Sequence, residues 1–347
     1  MIIPQLSEDQ LAGQRLMIGF NGTVLNDRLR YAVDTLKVGG IILFSRNIDS
    51  PLQVQELCGS VQAYASRCGQ PPLFIGIDQE GGMVARLKPP FTQFAGNPSL
   101  KNTEDAIAFA RITAMELTRI GVNMNMAPVL DVTPEQGPSV MQARVFGSDP
   151  QWVAHMGTAV ISHLQANGIM AVGKHFPGIG RTVLDSHEDL PDLDTDGPSL
   201  QQRDLVPFEA AVRAGVCGIM LSHIRYTAID PLWPASISET ITAEWLRRRL
   251  GFQGLVLTDD LDMGAIAKHY GILDIVPPCL QAGVDILLIC HEGPAIGAAF
   301  NEIRRSIRES AALMDKCKES ANRILDAKQR WIGNDSRISN DSERASL

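Results

Sequence analysis

Short apolar runs recur along the chain, most of them bounded by Gly or Asp. They are RLMIGF (15–20), GGIILF (39–44), PLFIGID (72–78), VNMNMAPVLDV (122–132), GIMAVGKHF (168–176), GVCGIMLSH (215–223), GLVLTDD (254–260) and GVDILLIC (283–290). Most are nearly continuous in Ile, Leu, Val, Met and Ala and do not alternate with polar residues. That is the pattern of strands buried on both faces, as in a parallel sheet. Stretches of helical character lie between them, among them 51–69, 103–121, 150–167, 198–214, 239–250 and 293–330. The segment 104–121 has apolar residues at helical spacing and stops at Gly121, as a helix C-cap would. Strands alternating with helices form either an open doubly wound sheet or a closed barrel. Eight repeats in about 300 residues favour the closed form. The expected fold is therefore α/β, a single-domain (β/α)₈ TIM barrel. No Pro-, Ser- or Gly-rich linker divides the chain, so residues 1–332 read as one domain and the polar stretch 333–347 as a disordered tail.

Composition narrows the partners. The 347 residues carry 31 Lys and Arg against 39 Asp and Glu, a net charge of −8, which argues against nucleic acid. No apolar run reaches the length of a bilayer span. The start, MIIPQLSEDQ, lacks the basic-then-apolar order of a signal peptide. Six cysteines stand without a CxxC pair, so free thiols in the cytoplasm are expected. The oligomeric state stays open, with a monomer as the default.

Barrel active sites form where the strands end. Here the third run ends in Asp78, the fourth near Asp131, the fifth in Lys174-His175, the sixth in Ser222-His223 and the seventh in Asp259-Asp260; His291-Glu292 follows the eighth. Polar groups thus gather at one end of otherwise apolar strands. There is no HExxH, no GxSxG, no GxxxxGK[ST] and no dinucleotide fingerprint. No cofactor and no metal are expected, although His175, His187, His223 and His291 can still converge in space. What remains is acid/base and nucleophilic work by carboxylates and histidine. A rim of directed hydrogen-bonding groups suits sugar hydroxyls.

The segment HFPGIGRTVLDSHEDLP (175–191) contains Pro177, Gly178 and Gly180, which forbid a long helix and imply an excursion over the barrel mouth. Asp185 and His187, two apart, share a face if the segment is extended. A carboxylate bonded to the ring would orient it and raise its basicity. A turn in which Asp185 caps backbone N–H groups is an equal alternative.

These residues resemble glycoside hydrolase family 3, in particular its bacterial β-N-acetylglucosaminidases of cell-wall recycling. The matching segments are IDQEGGMVARL (77–87), APVLDV (127–132), ARVFGSDP (143–150), GKHFPGIG (173–180), DSHEDLP (185–191), PASIS (234–238) and GFQGLVLTDDLDMGAI (251–266). They occur in the family's order and extend from about residue 10 to 330. The resemblance implies that Asp259 is the nucleophile, His187 the general acid/base and Asp185 its orienting partner. It implies sugar binding by Asp78, Arg86, Arg144, Lys174 and His175. For Arg86 and Arg144 a structural ion pair competes with that role, and for Asp259 a helix N-cap, which Asp260 can fill instead. His223 is read as support. The implied activity is release of terminal β-linked N-acetylglucosamine from glycosides such as muropeptides. A β-glucosidase or β-xylosidase of the same family, a sugar-binding homologue without activity, and transfer to phosphate are the alternatives. Two positions depart from the pattern: Ile179 stands where the family usually has His, and Met83 where it often has a basic residue.

Overall fold

The computed structural model describes residues 6–333. The polar tail expected at 333–347 lies, apart from Gly333, outside them. Eight parallel strands close into a barrel: β1 (Leu16–Ile18), β2 (Gly40–Leu43), β3 (Phe74–Ile77), β4 (Met124–Asn125), β5 (Met170–Phe176), β6 (Gly218–Leu221), β7 (Leu255–Asp260) and β8 (Ile286–Ile289). Each is hydrogen-bonded to its neighbours in sequence, and β1 closes the ring against β8. All eight apolar runs thus become barrel strands. Their continuous hydrophobicity follows from two separate cores. Met17, Ile42, Phe74, Met124, Met170, Val172, Met220, Leu257 and Leu288 fill the barrel. Alternate residues such as Leu16, Ile18, Ile41, Ile75, Ala171 and Ile219 face the helices.

The outer layer includes α1 (Glu8–Gly13), α2 (Asp27–Asp34), α3 (Pro51–Arg67), α4 (Thr103–Arg119) and α5 (Pro150–Ala166). It continues with α6 (Leu205–Arg213), the π-helical α7 (Thr240–Arg249), α8 (Ile272–Ala282), α9 (Pro294–Glu309) and α10 (Ala311–Trp331). The single helical stretch read at 293–330 is two helices. Ser310 is extended and its hydroxyl accepts the Leu313 N–H at the start of α10, so one helix ends where the next is capped. Helix α10 then crosses the N-terminal end of the barrel. Ile324 joins the interior core, Ala327 and Trp331 pack against it, and Lys328 Nζ lies 4.9 Å from the centre of the Phe74 ring. With that end covered, the open face for a substrate is the opposite, C-terminal mouth.

Candidate active site

Lys174 and His175 are consecutive, as are Asp259 and Asp260, and a regular strand would send consecutive side chains to opposite faces. All four nevertheless line one cavity at the barrel mouth. The register of β5 against β6 shifts between Lys174 and Phe176, and that of β7 against β8 shifts between Leu257 and Asp260. Both irregularities fall at the site residues and re-aim a side chain that the pleat would have turned away.

One wall of the cavity is a charge network. Strand β3 runs into a hairpin in which Asp78 and Glu80 are two apart and present carboxylates to the same partner. Lys174 Nζ donates to Asp78 Oδ1 at 2.7 Å and lies 2.6 Å from Glu80 Oε1. Arg144 binds Glu80 through two bonds, Nε to Oε2 at 3.0 Å and Nη2 to Oε1 at 2.7 Å. Arg86 Nη2 reaches Asp78 Oδ2 at 3.3 Å. Burial works against the Asp78 charge, but Lys174 and Arg86 outweigh it and hold the carboxyl at about 2. Glu80 is lowered in the same way, against its burial, by Lys174 and Arg144. The competing ion-pair reading of the two arginines is therefore correct as far as it goes. The wall still has donors to spare: a guanidinium carries five N–H groups, and Lys174 has three for two carboxylates.

Glu80 escaped the sequence reading. The signal was available: a buried Lys and a buried Arg converging on one site need more countercharge than Asp78 supplies. Glu80→Ala leaves Arg144 and one side of Lys174 uncompensated, and we expect a loss of about 3–5 kcal/mol of stability in urea unfolding. A loss under about 1 kcal/mol, the range of an exposed pair, would mean the network is hydrated.

His175 is held from below. Asp131, fully buried, accepts from His175 Nδ1 at 2.8 Å and from the Ile179 backbone N–H at 2.8 Å. His223 is buried beneath β7, with Nδ1 2.8 Å from Ser236 Oγ and Nε2 2.8 Å from the Asp260 carbonyl oxygen, as the supporting role predicts. Burial lowers its pKa.

The two adjacent carboxylates of β7 have opposite surroundings. Burial opposes the Asp259 charge, yet His175, His223 and Lys174 bring its pKa below the ordinary value, so it is an ionised carboxylate at the cavity floor. Asp260 is pushed up to about 6 by burial, and neighbouring Asp262 and Asp259 add to the rise. Its Oδ1 accepts the N–H groups of Asp262 and Cys290, both at 3.0 Å, so Asp260 takes the turn-capping role, while Asp259, whose Oδ1 accepts the Asp260 N–H at 2.9 Å, lines the cavity. Among the described residues Asp260, Asp262 and His291 are the one cluster with metal-ligand potential, their donor atoms lying within 4.8 Å of one another. The four histidines do not converge on a common point: His175 and His187 line the cavity, His223 lies under β7 and His291 stands exposed.

These shifts act on stability with opposite signs. Asp78 falls from an ordinary 3.8 to about 2 on folding, so its contribution is present above roughly pH 4 and lost as pH falls towards about 2. Asp260 rises from 3.8 to about 6. The folded chain then holds a proton that the unfolded chain releases, and stability declines as pH rises through that window. Asp260→Asn should remove the decline in the urea midpoint between about pH 4 and pH 6. An unchanged slope in the variant would show that another group causes it.

The loop after β5 covers this floor. Its far end is pinned where Asp192–Leu193 pairs with Arg225–Tyr226. Within it, Asp185 Oδ1 lies 2.7 Å from His187 Nδ1 and accepts the His187 backbone N–H at 2.9 Å. The dyad and the local turn, equal alternatives in the sequence, are thus one arrangement. Burial opposes the Asp185 charge, but these bonds from His187 lower its pKa. The dyad side chains are about half exposed or more, 49% for Asp185 and 65% for His187. His187 lines the same cavity as Asp259. Ile179 is buried and, with Asp185, His187 and Asp259, lines an adjoining recess, so an apolar wall stands where the family usually has an imidazole. Met83 lies on the hairpin turn, 71% exposed, and faces solvent.

A buried ionised carboxylate at the floor, a hydrogen-bonding wall beside it and a histidine–carboxylate pair above suit acid/base and nucleophilic chemistry on a polyhydroxylated substrate. The family described as "Glycosyl hydrolase family 3 N terminal domain" matches residues 8–327. A β-hexosaminidase of Nitrosomonas eutropha is 38% identical, over 80% of this chain and 80% of its own. One of Thiobacillus denitrificans is 40% identical, over 80% of this chain and 78% of its own. A family 3 β-N-acetylglucosaminidase structure from Paenibacillus sp. superposes with a TM-score of 0.91 at 37% identity, covering 94% of this chain. The chain spans 63% of that longer protein. The chain belongs to glycosyl hydrolase family 3, as a glycoside hydrolase of the β-N-acetylhexosaminidase type.

Proposed function

We propose that the protein is a retaining exo-β-N-acetylglucosaminidase acting on terminal β-linked N-acetylglucosamine, with peptidoglycan fragments as its source. Asp259 attacks the anomeric carbon and forms a glycosyl-enzyme. His187, oriented by Asp185, protonates the leaving oxygen and then takes a proton from water. Asp78 and Lys174 accept from and donate to neighbouring sugar hydroxyls, the partly exposed Arg86 guanidinium donates to another, and Arg144 and His175 complete the wall. The catalytic unit is residues 1–332. Six free cysteines fit a reducing cytoplasm, and among the described residues no helix is long and apolar enough to cross a membrane.

The observation that carries this reading is that His187 and Asp259, on separate elements, line one cavity, with Asp259 held ionised by His175, His223 and Lys174 against its burial. The relatives named β-hexosaminidase support the N-acetyl sugar. Release of nitrophenol from the nitrophenyl N-acetylglucosaminide, with little from the glucoside, is the expected result. Efficient cleavage of the glucoside alone would overturn the sugar assignment.

A further inference from the structure

The loop that carries His187 rests on the segment that follows Asp259. Gly264 donates its N–H to the His187 carbonyl at 3.2 Å, and Ala265 donates to the Ser186 carbonyl at 3.0 Å. A third contact lies beyond them, where His269 Nε2 pairs with Asp189 Oδ1 at 2.5 Å. Ser186 is buried while the side chains on either side of it are open to solvent. The loop is therefore seated by its backbone and by Asp189, and the dyad is left free to reach a substrate. The seat is too close for any side chain at position 264. A Cβ there would stand 2.5 Å from the Glu188 carbonyl oxygen and 2.6 Å from that of His187. Both are backbone atoms, so no rotamer change relieves the overlap and the loop would have to lift.

We infer that Gly264 and the Asp189–His269 pair are positioning residues for the reaction: they dock the acid/base loop onto the segment continuous with the nucleophile, so that one contact patch sets His187 against Asp259. The inference rests on the roles proposed above for those two residues. Geometry of this kind is sensitive, because a displacement of about 1 Å can cost about 100-fold in rate. The sugar wall of Asp78, Arg86 and Lys174 comes from β3, its hairpin and β5, so sugar binding should be largely untouched by a lifted loop.

The test compares Gly264→Ala, His269→Ala and His269→Gln with His187→Ala in the full chain, on phenyl and dinitrophenyl N-acetylglucosaminides. A phenolate needs protonation to depart; a dinitrophenolate does not. Gly264→Ala should lower kcat/KM, which reports the glycosylation step, by about 100-fold on the phenyl substrate and much less on the dinitrophenyl substrate. His269→Ala, at an exposed site that does not threaten folding, should show the same pattern more weakly. His269→Gln should recover part of it, since its amide N–H can still donate to Asp189. Equal losses of kcat/KM on both substrates, or no loss with either, would overturn the docking role. If His187→Ala itself shows no dependence on the leaving group, the acid/base assignment fails first and the inference falls with it.

Discussion

Asp259→Asn should lower kcat on an aryl N-acetylglucosaminide by about 10⁴-fold or more, a barrier increase of about 5.5 kcal/mol at about 1.36 kcal/mol per decade. The substitution keeps the size of the side chain and removes the charge that attacks the anomeric carbon. It also leaves His175, His223 and Lys174 facing a neutral amide at the floor of the cavity. The loss should be similar for good and poor leaving groups, because a covalent step through Asp259 is common to both. Steady-state kinetics on purified variant checks this. Retention of more than about a tenth of kcat, in a site where nucleophile removal ordinarily costs decades, would exclude Asp259 as the nucleophile.

His187→Ala should behave differently. A positioned acid/base contributes about 10²–10⁴-fold, and the loss should approach that range on phenyl glycosides or oligosaccharides. It should shrink on dinitrophenyl glycosides, whose leaving groups depart unprotonated. Asp185→Ala should follow the same pattern, since Asp185 Oδ1 meets the ring nitrogen and the backbone N–H of His187 together. A leaving-group series measured for wild type and both variants checks this. A constant loss across the series would mean that the histidine positions substrate and transfers no proton.

The barrel was legible because a strand buried on both faces cannot alternate, and eight such runs with polar ends have few other solutions. Met17 inside and Leu16 outside belong to two cores, but both cores select the same residue types. The strand-end rule likewise found Asp78, Lys174, His175 and Asp259, because a barrel opens to its substrate at the C-terminal ends of its strands. Several features lie beyond such rules. That Lys174 and His175 both reach the cavity, and Asp259 and Asp260 with them, goes with register shifts in β5 and β7 respectively, which composition does not encode. The break at Ser310 was masked because helical periodicity continues across it. Glu80 lies beyond the strand end that the rule inspects, although its bonds to Arg144 and Lys174 organise the wall. Gly264 gave no local signal at all, since its requirement comes from backbone 76 positions earlier at Glu188.

The departures at Ile179 and Met83 now have different weights. Met83 faces solvent and should tolerate exchange. Ile179 forms an apolar wall of the recess beneath the dyad, while its backbone N–H satisfies Asp131. The side chain can therefore vary without disturbing the carboxylate that holds His175, and its influence falls on the ground beneath Asp185 and His187.

The central claim is that hydrolysis proceeds through a covalent sugar on Asp259, with His187 as the acid/base. Incubation with a fluoro-sugar inactivator of the N-acetylglucosamine type, followed by proteolysis and mass spectrometry, tests it most directly. The account predicts one sugar adduct per chain, on Asp259 within the segment GLVLTDDLDM. An adduct on Asp260, Asp78 or Glu80, or none in an enzyme that turns over substrate, would contradict it.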